Sequence, residues 1–448
     1  MDKVPLTARL AEYAIGTDYA GLPDTVQREA VRAFHNWVGV ALGGSTHPTV
    51  HRAGNFARRT GGTGPSTALG QGFRTDPASA AFVNCMASAV LAFDDAHMPS
   101  VAHPSGPACA AIYAVAQGRK TTGKEFLNAI ALGIEMQCRV ANMLVLPPSA
   151  LHADIYVNGF SGPVGVGLGV GRLIGLTEQQ MVWSVGIAAS QASGFRGVSG
   201  SMTSQFRPGH ASRAGVVAAL LASEDFDCTY DPLEGRGGLI DIFAAGADQE
   251  IALAGLGQEH EMLNNRYKPY PSGIVCHPTI DACLDIAARL PEGTTISGIH
   301  LTVHPLALTM TGIRHPGTSL EARVSIFHLT SMALLHKMTG LDATAMERVT
   351  DAEVTALRDL IVADPVAGIG KGEAIVEVTL SDGSMLRSHI VKARGSRELP
   401  MSDADLERKF LELVETVLPP DKAATLSEMC WNVADSKDVS ATFEEFLV

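Results

Sequence analysis

The sequence predicts a mostly α fold, with a large all-helical domain followed by a smaller α+β domain. Three observations predict it. At 448 residues the chain exceeds the size at which one hydrophobic core stops growing, so two domains are expected. Up to about residue 260, Ala, Leu, Gly and Val dominate and apolar residues recur at helical spacing. Beyond about residue 290 the period shifts towards strict alternation, interleaved with further helical stretches.

Taken in order, LTARLAEYAIG, TVQREAVRAFHNWVGVALGG, ASAAFVNCMASAVLAF and GKEFLNAIALGIEMQCRVANML are predicted helices, because apolar residues return every three or four positions. The segment SGPVGVGLGVGRLIGLTEQQMVWSVGIAASQ is rich in glycine at Gly162, Gly165, Gly167, Gly169, Gly171 and Gly175. A dinucleotide-binding loop would need a third glycine where Val170 stands, and a strand before it, so that reading fails. Small residues at this spacing instead predict one tightly packed central helix. ISGIHLTVHP alternates at Ile299, Leu301 and Val303, and EAIVEVTLSDGSMLRSHIV alternates around Ser-Asp-Gly, which predicts a strand and a hairpin. Between them EARVSIFHLTSMALLHKM and TDAEVTALRDLIVAD are predicted helices. In the tail, Ser402 with Asp405 three residues on predicts a capped helix that could return to the first domain.

Hydrophobic residues make up 46% of the chain and charged residues 18%, the balance of a folded globular protein. The formal charge of -13, with no basic run, opposes nucleic acid and anionic membranes as partners, so an anionic ligand would need a few local cations. No long apolar run and no signal-peptide pattern is present, which makes the cytoplasm the expected location. Seven scattered cysteines without a C-x-x-C pair read as free thiols.

Four stretches concentrate chemistry beside Pro or Gly. AFDDAHMPSVAHPSG holds Asp94, Asp95, His97 and His103. These four residue types could ligate a divalent metal, the basis of a hydrolase alternative, or one aspartate could cap a turn while a histidine is buried. No H-x-x-x-H or H-E-x-x-H pairing supplies a second ligand set, so the stretch reads as a site without metal. LHADIYVNGFSGP contributes Tyr156. SQFRPGHASRAG places Arg207 before a Pro-Gly turn expected to open a helix, with His210 and Arg213 three apart near its start, where an anion is favoured. RYKPYPSGIVCHPTIDA holds Lys268, Ser272 and His277 in a proline-stiffened loop.

Together these pieces resemble the MmgE/PrpD family. The matching segments are FDDAHMPSVAHPSG, GPVGVGLGVGRLIGL, the turn before His210, YKPYPSGIVCHPTIDA, LEARVSIFHLTSMALL and LPMSDADLERKF, in family order from about residue 90 to 410. The resemblance implies a helical domain over 1–265 completed by 396–448, an α+β lid over 266–395, and a homodimer. It implies metal-free, cofactor-free chemistry on a small di- or tricarboxylate in a cleft between the domains. Site residues carried over by position are Asp94, Asp95, His103, Arg207, Lys268 and His277.

This chain departs from dehydratase- and decarboxylase-like members in having Ala96 for a threonine, Tyr156 for a histidine, Arg207 for a lysine and His328 for a tyrosine. Those departures, with KPYPSG and the tyrosine, favour an epimerase of the iminodisuccinate type over a hydro-lyase or decarboxylase. In that expectation Arg207 and Lys268 stabilise charge on a carboxylate, with His97, His210, Arg213 and Ser272 as further substrate contacts. His103, tuned by Asp94 or Asp95, removes the neighbouring proton, and Tyr156 or His277 returns one on the opposite face.

Overall fold

The computed structural model describes residues 5–291 and 293–443. Most of the larger core is built from helices between Leu6 and Met262, and Phe410, Leu413, Leu426 and Phe443 from the end of the chain complete it. The predicted helices form as Leu6–Gly16, Asp24–Ser45, Pro77–Val90 and Gly123–Val145. Helix Gly123–Val145 starts on a reciprocal cap between Thr122 and Glu125, and the tail helix Asp403–Val414 starts on the predicted cap between Ser402 and Asp405. That tail helix packs on Asp24–Ser45, which returns the chain to the first domain.

The glycine-rich segment is two helices, Asn158–Ile174 and Glu178–Ala189, where one was expected. The helix stops at Gly175 and Thr177 caps its successor, a start signal hidden inside a continuous apolar pattern. The close-packing expectation fits the contact with helix Gly123–Val145. A Cβ on Gly165 would sit 2.5 Å from the Gly133 carbonyl oxygen, so only glycine allows this approach.

The smaller core gathers Tyr270, Ile280, Ile299, Leu301, Ile326, Val376 and Val378. Its four-stranded sheet has the order Ile361–Pro365, Ile296–Val303, Ala374–Leu380, Met385–Ile390. The first pair is parallel and the other two are antiparallel. Alternate residues Ala374, Val376, Val378 and Leu380 point into the core, the period read from the sequence. Helix His277–Arg289 covers the hairpin and packs on helix Ile326–His336.

Two helices expected here are shorter than predicted. The first begins at Ile326, because the Ser325 side chain caps the His328 amide, and is preceded by a single turn, Ser319–Ala322. The second ends at Asp359, and Ile361–Pro365 leaves it to become the edge strand parallel to Ile296–Val303. Proline at the end of an edge strand removes no interior hydrogen bond.

Among the described residues no helix is long and apolar enough to cross a membrane. All seven cysteines are free thiols.

Candidate active site

A two-stranded ribbon that the sequence does not announce joins the first and fourth of these stretches. Asp95–His97 pairs antiparallel with Asn265–Tyr267, in the register Asp95 to Tyr267. The pairing continues one residue further, where the Lys268 amide donates to the Asp94 carbonyl at 3.2 Å. Residues 174 positions apart therefore meet, and Lys268 Nζ donates to Asp94 Oδ1 at 2.5 Å with both side chains buried. Burial alone would raise the Asp94 carboxyl. The Lys268 ammonium, then the His103 imidazole, hold it below the usual carboxylate range instead.

His103 sits on the same carboxylate. Its Nδ1 lies 3.4 Å from Asp94 Oδ2 and 2.5 Å from the carbonyl oxygen of Asp95. A carbonyl can only accept, so Nδ1 carries a proton and Nε2 is the atom left to take up or release one. The His103 amide donates to Asn158 Oδ1 at 2.6 Å, and Gln137 Nε2 donates to the same oxygen at 3.1 Å, which fixes the loop from below.

Asp95 faces the other way. Its Oδ2 accepts from the Ser105 amide at 3.1 Å, the Ser105 hydroxyl and Asn265 Nδ2, the last at 2.5 Å. It thereby anchors the start of helix Ser105–Ala116, where a carboxylate also meets the positive end of the helix. Burial and the Asp94 charge push its carboxyl upward. Ala92 and Val101, which flank these groups, hold left-handed backbone at φ 51° and 56°. For a β-branched valine this is strained, and such strain collects at functional loops.

The opposite wall depends on two prolines inside helices. Pro163 has no amide hydrogen, so the Gly159 carbonyl lacks its usual partner and accepts from the Ser193 amide at 3.1 Å. A Cβ on Gly159 would sit 1.7 Å from the Ser193 oxygen, so the contact requires glycine. Pro208 lies inside helix Thr203–Ser223, which starts four residues before Arg207; the expected Pro-Gly turn does not occur. Pro208 leaves the Ser204 carbonyl free, and Arg207 Nε takes it at 3.2 Å while Nη1 reaches the Phe195 carbonyl at 2.8 Å. The guanidinium lies over the Tyr156 ring, 4.2 Å from its centroid. Burial raises the Tyr156 phenol, which keeps it protonated and able to donate a hydrogen bond.

Asp94, His103, Tyr156, Arg207 and Lys268 line one cavity between the two domains, with about 1070 Å³ free of protein atoms including its open mouth. Residues 8–252 match the MmgE/PrpD N-terminal domain and residues 270–435 match the MmgE/PrpD C-terminal domain. The chain belongs to the MmgE/PrpD family. It is 21% identical over 477 residues to a cis-aconitate decarboxylase of Aspergillus terreus, covering 99% of this chain and 96% of the relative. It is 23% identical over 453 residues to the cis-aconitate decarboxylase of Homo sapiens, covering 97% and 93%. A cis-aconitate decarboxylase-like protein of Aspergillus oryzae is also 23% identical, covering 97% and 96%.

Several residues singled out in the sequence lie away from the cavity of this MmgE/PrpD chain. His97 is buried, with Nδ1 2.8 Å from Ser100 Oγ and Nε2 3.0 Å from Glu261 Oε2. His210 stacks on Phe206 at 5.5 Å, and Arg213, on the next turn of that helix, is exposed. Ser272 and His277 are buried beside the cavity without lining it, and the His277 ring packs edge-on against Tyr270. Burial, reinforced by Lys268, pushes His277 down to about 3. The metal-hydrolase alternative fails on the same geometry. Asp95 and His97 are engaged elsewhere, and among the described residues no three His, Cys, Asp or Glu side chains are grouped to hold a metal ion.

The sequence reading missed three residues. Asn158 lines the cavity and holds the His103 loop. Lys409, from the tail helix, donates to the Phe93 carbonyl at 2.6 Å and the Lys268 carbonyl at 3.1 Å, and so ties together the segments that hold Asp94 and Lys268. Arg323, from the smaller domain, lines the cavity as well. Neither residue stands out in the sequence: Lys409 is one charge among several in SDADLERKFLELVETVL, and Arg323 follows Glu321 in LEARVSIFHL.

Proposed function

We propose that this chain is a lyase acting on a small di- or tricarboxylate, with decarboxylation ahead of dehydration. The observation that supports it best is the convergence of His103, the Asp94–Lys268 pair, Arg207 and Tyr156 on one cavity. The decarboxylase names of the relatives support the choice of reaction.

In a decarboxylation the carbon–carbon bond to one carboxylate breaks and CO2 leaves. The electron pair stays behind, delocalised towards a neighbouring conjugated carboxylate, and a proton is then delivered to carbon. The barrier lies in the charge that builds on the remaining carboxylate, and fixed cations in a partly enclosed cavity lower it. Arg207 offers a planar fork to a carboxylate and Lys268 a point charge. His103 delivers the proton from Nε2, with Asp94 and the Asp95 carbonyl holding the ring. In dehydration the same Nε2 removes a proton and Tyr156 protonates the departing hydroxyl.

This order reverses the sequence-based preference for an epimerase. Epimerisation in both directions needs a second group facing His103 across the substrate that can take up a proton as well as return one. Of the two residues expected there, His277 does not line the cavity and the raised Tyr156 phenol is a poor base.

Incubation with cis-aconitate in deuterium oxide tests the reading. Release of CO2 with one deuteron per product is expected. Deuterium exchange beside a carboxylate in a chiral amino- or iminodicarboxylate, with every carbon and oxygen retained, would restore the epimerase.

A further inference from the structure

We infer that Arg323 holds a carboxylate of the substrate, so that the smaller domain supplies an anion anchor opposite the one that Arg207 supplies from the larger. The inference rests on the carboxylate reading above and specifies how many anionic groups the substrate must bring.

Arg323 is only 7% exposed and lines the cavity. Two of its nitrogens are committed. Nη1 donates to the carbonyl of Val90, the last residue of helix Pro77–Val90, and Nε lies 3.4 Å from Thr344 Oγ1. These bonds fix the guanidinium across the boundary between the domains, with its backbone carbonyl accepting from the Gly273 amide at 3.1 Å. Nη2 has no hydrogen-bond partner among the described residues, and it is not sealed from the cavity as the unpartnered Arg358 nitrogens are.

Among the described residues no carboxylate lies within ion-pairing distance of Arg323, in a chain with 47 acidic and 34 basic residues. Capping the end of helix Pro77–Val90 explains one nitrogen. It leaves unexplained why a full charge is buried without a counter-ion, which is costly unless something compensates it. A carboxylate entering the cavity compensates it, and the planar fork has donors left for one. Arg207 likewise has no carboxylate partner among the described residues. Two unpaired guanidiniums, one from each domain, fit a ligand with at least two carboxylates and give a monoanion only half of its contacts.

The test compares tricarballylate, an unreactive tricarboxylate, with butyrate, a monocarboxylate, by calorimetric competition on the full chain. The unaltered protein is expected to prefer tricarballylate strongly, and Arg323→Met to lower that affinity ratio at least about tenfold, with Arg323→Lys in between. An unchanged ratio in folded Arg323→Met overturns the assignment and leaves the lyase reading standing. If the unaltered chain does not bind tricarballylate at all, both readings fall. Should Arg323→Met not fold, a crystal structure of the unaltered chain with tricarballylate decides instead. A carboxylate oxygen in hydrogen-bonding range of Nη2 is expected, and a bound tricarballylate that leaves Nη2 untouched overturns the assignment.

Discussion

Asp94 and Lys268 form a buried ion pair, and a buried pair behaves differently when one member is lost than when both are. Asp94→Asn leaves the ammonium unpaired and is expected to cost about 3–5 kcal/mol, whereas Asp94→Asn with Lys268→Met recovers most of that stability and none of the activity. Urea denaturation alongside turnover checks this; additive losses would mean that the two groups are not coupled. His103→Ala is expected to lower turnover by about 10²–10⁴-fold while substrate still binds, as removal of a proton carrier does. Near-normal turnover removes His103 from the mechanism. At this scale the sequence was informative about residue type and less so about direction. Asp94 and Asp95 are indistinguishable in the text of the chain, and only the backbone between them turns one towards the cavity and the other onto helix Ser105–Ala116. His97, six residues before His103, is equally prominent in sequence but is taken by Ser100 and Glu261.

The elements that place these groups were legible where their signal is local. Helical periodicity, the Ser402 cap and the alternation of Ala374–Leu380 all depend on neighbours within a few residues. The ribbon between Asp95–His97 and Asn265–Tyr267 depends on two three-residue strands 170 positions apart, too short for a period to be read. Pro208 misled for a related reason. Proline usually marks a boundary, but here Arg207 satisfies the carbonyl that Pro208 abandons, and the helix runs through. Pro163 and Gly159 use the same device to dock the strand of chain that leads to Arg196 and Arg207. Gly159→Ala forces a side chain into the Ser193 carbonyl and is expected to cost about 1–3 kcal/mol and to weaken substrate binding more than the chemical step. A rise in KM with kcat nearly unchanged supports that; a change in kcat alone would separate this loop from binding.

Across the whole molecule, the site depends on parts that are far apart in sequence, and on burial that sets the charge of the groups between them. Lys409 is fully enclosed, and burial pushes it down to about 7 while it ties the tail to the segments that hold Asp94 and Lys268. The histidines His35, His47 and His277 are lowered, first by burial, His47 to about 4 and His277 to about 3. Each binds a proton more readily in the unfolded chain, near its ordinary 6.5, so each withdraws stability as pH falls from there towards its folded value. Glu29 works in the opposite sense. Burial raises it from 4.5 to about 7, so in that interval the folded state holds the extra proton and stability grows as pH falls. Below 4.5 the Glu29 contribution stops changing, while Glu261 and Glu407, both lowered to about 2, begin to withdraw stability together with the histidines. The melting temperature is therefore expected to fall gently between about pH 6.5 and 5, where one glutamate offsets only part of the histidine loss, and to drop steeply between about pH 4.5 and 3. Calorimetric scans across that range check the prediction, and a maximum in stability near pH 4 would show that Glu29, not the buried neutral histidines, governs the acid limb.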